Sequence, residues 1–286
     1  MTSLVVLGIA QDAGYPQLGC TKDCCNRYWE GVQEKELISC IAVVDGEEEK
    51  YWLIDATPDI AEQIHQIQKL LGTENLPEGI FLTHAHIGHY TGLMQFGREA
   101  YGSKNLTVYA MPKMKKYLME NGPWGQLTSL GNIDLKELHA DSMVRVSENI
   151  SLTPFLVPHR DEYSETVGYR INGSKKSSLF IPDIDKWDRW ERDISRMITE
   201  NDYALLDGTF FENGEIPGRD MSLIPHPFVV ESMEKFNSLP KEEKKKIHFI
   251  HFNHTNPLLN TKSEAFKNTL ENGFNIAQRG LVISLE

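Results

Sequence analysis

The chain has 286 residues, with 29 Lys plus Arg against 41 Asp plus Glu and a formal charge of −12. Such an acidic chain repels phosphate backbones over long range, which argues against a nucleic-acid-binding module, while a small anionic substrate is still admissible wherever a bound cation reverses the local field. No stretch approaches the roughly 20 apolar residues of a membrane span, and the N-terminus has no basic region ahead of its short apolar run, so a strand is expected there rather than a signal peptide, in a cytoplasmic protein.

Short β-rich runs alternate with helical patterns. Leu4–Ile9, Ile38–Val44 and Tyr51–Ile54 are expected strands, being β-branched or aromatic and bounded by turn residues. Ile60, Ile64, Ile67 and Leu71 recur at helical spacing between Pro58 and Gly72, which predicts a helix over Pro58–Leu71. Strands follow at Ile80–Leu82 and Leu106–Ala110, then a helix over Lys113–Asn121 stopped by Gly122-Pro123. The second half repeats the alternation. Strands are expected at Ile150–Val157, at Thr166–Ile171 with Ser178–Ile181 across an Asn172-Gly173 turn, at Tyr203–Leu206, Ile247–His251 and Leu281–Leu285. Helices are expected over Lys186–Glu200, with Trp187, Trp190, Ile194 and Met197 on one face, over Phe228–Phe236 and near Ser263–Asn272. Mixed strands and helices with no clear linker predict one α/β domain over residues 1–286, with two sheets from two similar halves. The long loop Phe211–Ile224 is of the kind that often carries function.

The densest chemical signal is Thr83-His84-Ala85-His86-Ile87-Gly88-His89, three imidazoles within six residues directly after an apolar strand. Imidazole is the commonest metal ligand, and two rings at i and i+2 in an extended loop grip one ion while a third beyond a tight turn reaches a neighbouring ion. Other strand ends should complete the site. Asp55, His159, Asp183 and His251 each follow an apolar strand, at the edge where α/β sheets carry their chemistry.

This order of strand-Asp, His-x-His-x-x-His, His, Asp, His resembles the metallo-β-lactamase fold superfamily, whose cluster reads His-x-His-x-Asp-His. Gln11–Gln17, Ile54–Asp59, Pro158–Arg160, Asp207–Phe210 and Asn253–Pro257 further resemble the protein B family of pyrroloquinoline quinone biosynthesis. A second relative is the cyclic phosphodiesterase family of phosphonate breakdown, which carries a thiolate cluster near its N-terminus. The resemblance implies a four-layer αβ/βα sandwich and two metal subsites: His84, His86 and His159 around one ion, His89 and His251 around the other, with Asp183 bridging. His254, three residues beyond His251, is an alternative ligand and, with Asp183, a candidate proton shuttle. Asp55 would orient the His loop from outside the ligand set. The chain departs from the pattern at Gly88, where the superfamily has an aspartate ligand. Asp12, set beside Asp55 outside the ligand set, is a carboxylate available to substitute.

Cys20, Cys24 and Cys25 resemble a structural zinc cluster, and Cys40 belongs to a strand core. His226, held between Pro225 and Pro227, is a candidate substrate contact. The expected cofactor is zinc, one or two ions, with iron or manganese as alternatives. The expected activity is metal-assisted hydrolysis of a small ester-like substrate, a phosphodiester first, then a lactone, thioester or amide. The alternatives are a non-haem iron oxygenase, which the first relative implies, and a metal-binding protein without catalysis, which Gly88 motivates. A small molecule and a second copy of the chain are the expected partners.

Overall fold

The computed structural model describes residues 1–286. The first sheet holds β1 (Thr2–Gly8), β2 (Cys40–Asp45), β3 (Lys50–Ile54), β4 (Gly79–Phe81), β5 (Leu106–Ala110) and β6 (Ile133–Glu137) side by side in that order. The second holds β7 (Val144–Arg145), β8 (Ser151–Leu156), β9 (Val167–Asn172), β10 (Ser177–Ile181), β11 (Tyr203–Asp207), β12 (Ile247–Ile250) and β13 (Asn275–Ile276), again in chain order. Both sheets are mixed in the same sense. β1 to β3 pair antiparallel and β3 to β6 parallel, just as β7 to β10 pair antiparallel and β10 to β13 parallel. The last strand, β14 (Val282–Ser284), crosses back to the first sheet and pairs antiparallel with β1, placing Ser284 opposite Ser3.

Strand periodicity explains the layers. Successive side chains point to opposite faces, so Leu4, Val6, Ile41, Val43, Trp52 and Ile54 enter the core between the sheets. Val5, Leu7, Ala42, Val44, Tyr51 and Leu53 pack outward with Ile60, Ile67, Met114 and Leu118 of the covering helices. The second sheet is covered by the helices Ile194–Thr199 and Val229–Lys235, whose Ile194, Ile198 and Val229 join its core. The result is the four-layer αβ/βα sandwich that the resemblance implies. No helix is long and apolar enough to cross a membrane.

Three expectations are corrected. The helix over Lys186–Glu200 is two pieces, a 3-10 turn at Trp187–Arg189 and a helix at Ile194–Thr199. The Trp187 indole donates to Ser232 Oγ at 2.8 Å and that of Trp190 to the Leu156 carbonyl at 3.0 Å, so the two rings anchor to different neighbours. Asp193 then starts a new helix by accepting from the Ser195 and Arg196 amides. Gly122-Pro123 ends one helix and opens the next, Gly122–Ser129, since proline suits a first turn. The helix expected from Pro58 starts at Ile60, because the Asp59 carboxylate is taken by the Ile38 amide at 3.0 Å.

Candidate metal centre

The C-terminal ends of β3, β4, β8, β10, β11 and β12 deliver Asp55, His84, His159, Asp183, Asp207 and His251 to one place. Asp55 and His251 sit in left-handed backbone, φ 72° and 70°. Non-glycine residues rarely adopt that conformation, and it concentrates at functional sites.

Two groups of side chains converge, each with its candidate ligand atoms within 4.8 Å of one another. The first is His84, His86, His159 and Asp183; the second is Asp12, His89, Asp183 and His251. Asp183 is common to both. Its Oδ2 lies 3.2 Å from His84 Nε2 and 3.6 Å from His86 Nδ1, and its Oδ1 lies 3.2 Å from His159 Nε2. Asp12 Oδ1 lies 2.8 Å from His89 Nε2 and 3.7 Å from His251 Nε2. The chain thus brings Asp12 in among the potential ligands rather than outside them, which corrects the sequence expectation. The parallel bridges of Ala10 to Ile38 and Phe252 hold its loop there.

Hydrogen bonds behind His84, His89 and His251, and a carboxylate contact behind His159, fix which nitrogen faces the centre. The Thr83 hydroxyl donates to Asp55 Oδ2 at 2.9 Å, so it accepts from His84 Nδ1–H, also at 2.9 Å. The Thr209 hydroxyl likewise donates to Asp207 Oδ1 at 2.7 Å and accepts from His251 Nδ1–H at 2.9 Å. His89 Nδ1 donates to Asp55 Oδ2 at 2.7 Å, and His159 Nδ1 lies 3.3 Å from Asp185 Oδ1. All four rings turn Nε2 inward, the orientation ligand histidines use.

The inward atoms face only one another. His84 Nε2, His89 Nε2, His159 Nε2, His251 Nε2, Asp12 Oδ1 and Asp183 Oδ1 are buried without a hydrogen-bond partner. Folded proteins seldom leave buried polar atoms unpaired, and six around one point fit cations held by imidazole and carboxylate.

Without an ion, protons stand in for it. Burial, then the neighbouring charge of His89, drives His84 well below the usual imidazole range, so this ring is neutral and ready to ligate. Burial opposes charge on His89 as well, but Asp55 and Asp12 overcome it and raise the ring well above that range. Burial is likewise outweighed at His159, which Asp183 and Asp185 push up to about 10. Asp183, although buried, is pulled well below the carboxylate range by His159 and His226.

His226 is buried, with Nδ1 2.8 Å from Asp207 Oδ2 and 3.2 Å from Asp183 Oδ1. It also lines a cavity of about 490 Å³ that opens beside the centre and includes Thr209, Arg160 and Arg219. Position therefore lets it touch both the shared carboxylate and an occupant of the cavity.

His254 is not among the converging ligand atoms of this centre. The turn from Asn253 to Asn256 carries it away from His251 toward the N-terminal loop, with Nδ1 3.3 Å from Cys25 Sγ and 3.6 Å from Cys24 Sγ. Cys20, Cys24, Cys25 and His254 form a separate group with ligand atoms within 4.8 Å of one another. The thiols are unbridged, Cys20 Sγ standing 3.7 Å from Cys24 Sγ, and three thiolates plus one imidazole is a donor set of structural zinc sites. Cys40 lies in the core, as expected.

Thr83, Thr209, Asp207 and Asp185 carry no role in the sequence reading. Asp207 and Thr209 follow an apolar strand as the other site residues do, and that was the available signal. Thr83 and Asp185 are visible only through the rings they hold.

Residues 51–252 match the β-lactamase superfamily domain. The chain is 26% identical over 311 aligned positions to coenzyme PQQ synthesis protein B of Xanthomonas axonopodis pv. citri (strain 306), covering 99% of each. Zn(2+)-bound PqqB from Methylobacterium extorquens superposes with a TM-score of 0.84 at 23% identity, covering 99% of this chain and 100% of that one. A diphosphatase of the PhnP family superposes with a TM-score of 0.67 at 22% identity, covering 99% and 96%. The resemblance to the superfamily is borne out, similar proteins include the protein B family read from the motifs, and the chain belongs to the β-lactamase superfamily.

Proposed function

We propose that this chain is a metal-dependent hydrolase of small phosphodiester-type substrates, with His84, His86 and His159 on one ion, Asp12, His89 and His251 on a second, and Asp183 shared. The observation that carries the proposal is the set of six buried, unpartnered atoms in two groups joined by one carboxylate. Zinc is the first choice of ion, given three imidazoles and a carboxylate in one group. Ions bound here would polarise the scissile group and lower the pKa of water toward neutrality. The protein's part is to hold the rings in one tautomer through Thr83, Thr209 and Asp55, and to keep Asp183 ionised, against the effect of burial, by setting His159 and His226 beside it. His226, hydrogen-bonded to Asp207 and facing the cavity, is placed to return a proton to a leaving group. Asp12 removes the motive for a non-catalytic reading, because the carboxylate missing at Gly88 arrives from another loop.

The test is hydrolysis of bis(p-nitrophenyl) phosphate by zinc-loaded protein, with elemental analysis. Turnover abolished by chelation and restored by zinc is the expected result. Turnover that survives complete metal removal would overturn the mechanism.

A second reading is the one the sequence resemblance implies, oxidation with iron on the same donors. Protein isolated with iron, consuming oxygen and inert toward phosphodiesters, would favour it.

A further inference from the structure

The cavity beside the metal centre has a sign of its own. In a chain of charge −12, its 18 lining residues include Lys22, Arg160 and Arg219 and no carboxylate. None of these three cations forms an ion pair, unlike those of a second cleft on the surface. There Arg170, Arg192 and Arg196 also gather, but Arg192 pairs with Asp141 at 2.8 Å, Arg196 with Glu200 at 2.7 Å and Arg170 with Glu200 at 3.5 Å. Their charge is already neutralised, whereas that of the first cavity is available to a ligand.

Lys22 also faces the thiols of the cysteine group, so its charge is shared. Arg160 and Arg219 have no such rival. Arg160 directly follows His159, and Arg219 stands on the loop Phe211–Ile224 that walls the cavity. Glu215, on the same loop, is turned to the Phe211 amide and the Thr255 hydroxyl. Guanidinium groups offer a planar fork that matches phosphate or carboxylate oxygens two at a time.

We propose that the substrate carries, besides its scissile bond, a second oxyanion group that Arg160 and Arg219 bind in this cavity. The proposal rests on the hydrolytic reading of the adjoining centre, and it adds the substrate class: a small molecule with two anionic groups, one at the ions and one held by guanidinium. Thr209 and His226 line the same cavity while bonding Asp207, so an occupant spans from the arginines to the centre.

The test uses zinc-loaded, full-length protein and three probes: glycerol 3-phosphate, glycerate and uncharged glycerol. Each is titrated calorimetrically and as an inhibitor of bis(p-nitrophenyl) phosphate hydrolysis. The phosphate probe, the carboxylate probe or both should bind at least roughly tenfold more tightly than glycerol, and which one does so identifies the oxyanion. Arg160→Gln and Arg219→Gln should each weaken the bound anion roughly tenfold, as expected for a charge-assisted hydrogen bond, and Arg219→Lys should recover part of the loss. Anions that bind the variants as tightly as the parent, or no better than glycerol, would overturn the proposal. Failure of the hydrolytic reading appears separately, as anion binding by calorimetry without diester turnover. Zinc content of each variant, measured alongside, shows that the neighbouring His159 is still in place.

Discussion

A Cβ built on Gly88 would lie 2.5 Å from the Cα of Asp12 and 2.6 Å from its Oδ1. The Asp12 loop therefore occupies the room that an aspartate side chain at position 88 would need. Loss of a ligand from the histidine loop and gain of one from the N-terminal loop are two sides of one steric fact. Asp12→Ala should reduce zinc at this centre from about two ions to about one and lower diester turnover by roughly 10²-fold. Elemental analysis and steady-state kinetics check both, with the cysteine group counted separately.

The two threonine relays hold rings of different groups, Thr83 behind His84 and Thr209 behind His251. Thr83→Val and Thr209→Val should each lower metal affinity by roughly 10–100-fold, through His84 and His251 respectively. Competition with a chromogenic chelator should resolve two binding steps, with each variant moving a different one.

Proton release accompanies loading. His89 and His159 hold protons in the ion-free protein, since neighbouring carboxylates outweigh burial at both. Near pH 7 the ions should displace about two protons, and affinity should rise with pH. Calorimetry in buffers of different ionisation enthalpy reads the number. The same proton on His159 supports the ion-free fold fully below pH 6.5 and less as pH climbs to about 10, so that increment of apoprotein stability should fall across this window.

The cysteine group should behave as a staple. Cys24→Ala or His254→Ala should remove one zinc per chain and lower the melting temperature by about 5–10 °C. Differential scanning calorimetry with matched metal analysis tests it, and His254→Ala should spare the zinc held near His84.

Most of the centre was legible because its residues sit where apolar strands stop, a position that sequence marks clearly. His84, His86, His89, His159, Asp183 and His251 all meet as the spacing and the resemblance implied. His254 misled because a tight turn separates it from His251 and sends the ring to the cysteines, and turn geometry is not written in the interval of three residues. The helix over Lys186–Glu200 failed because Trp187 and Trp190, although at helical spacing, bond to partners on different elements. β6 escaped notice because Asp134 and Lys136 alternate with Ile133 and Leu135, which makes an edge strand resemble a polar loop.

The seam between the two halves runs through the ligand set. His84, His86 and His89 come from the sheet of β1 to β6, while His159, Asp183 and His251 come from that of β7 to β13. Cations gripped across such a junction rivet it, because neither half can open without surrendering them. Metal supply would then set the stability of the sandwich, a free energy that rises with the logarithm of free ion, and starvation for that ion should expose the chain to proteolysis before any residue is altered.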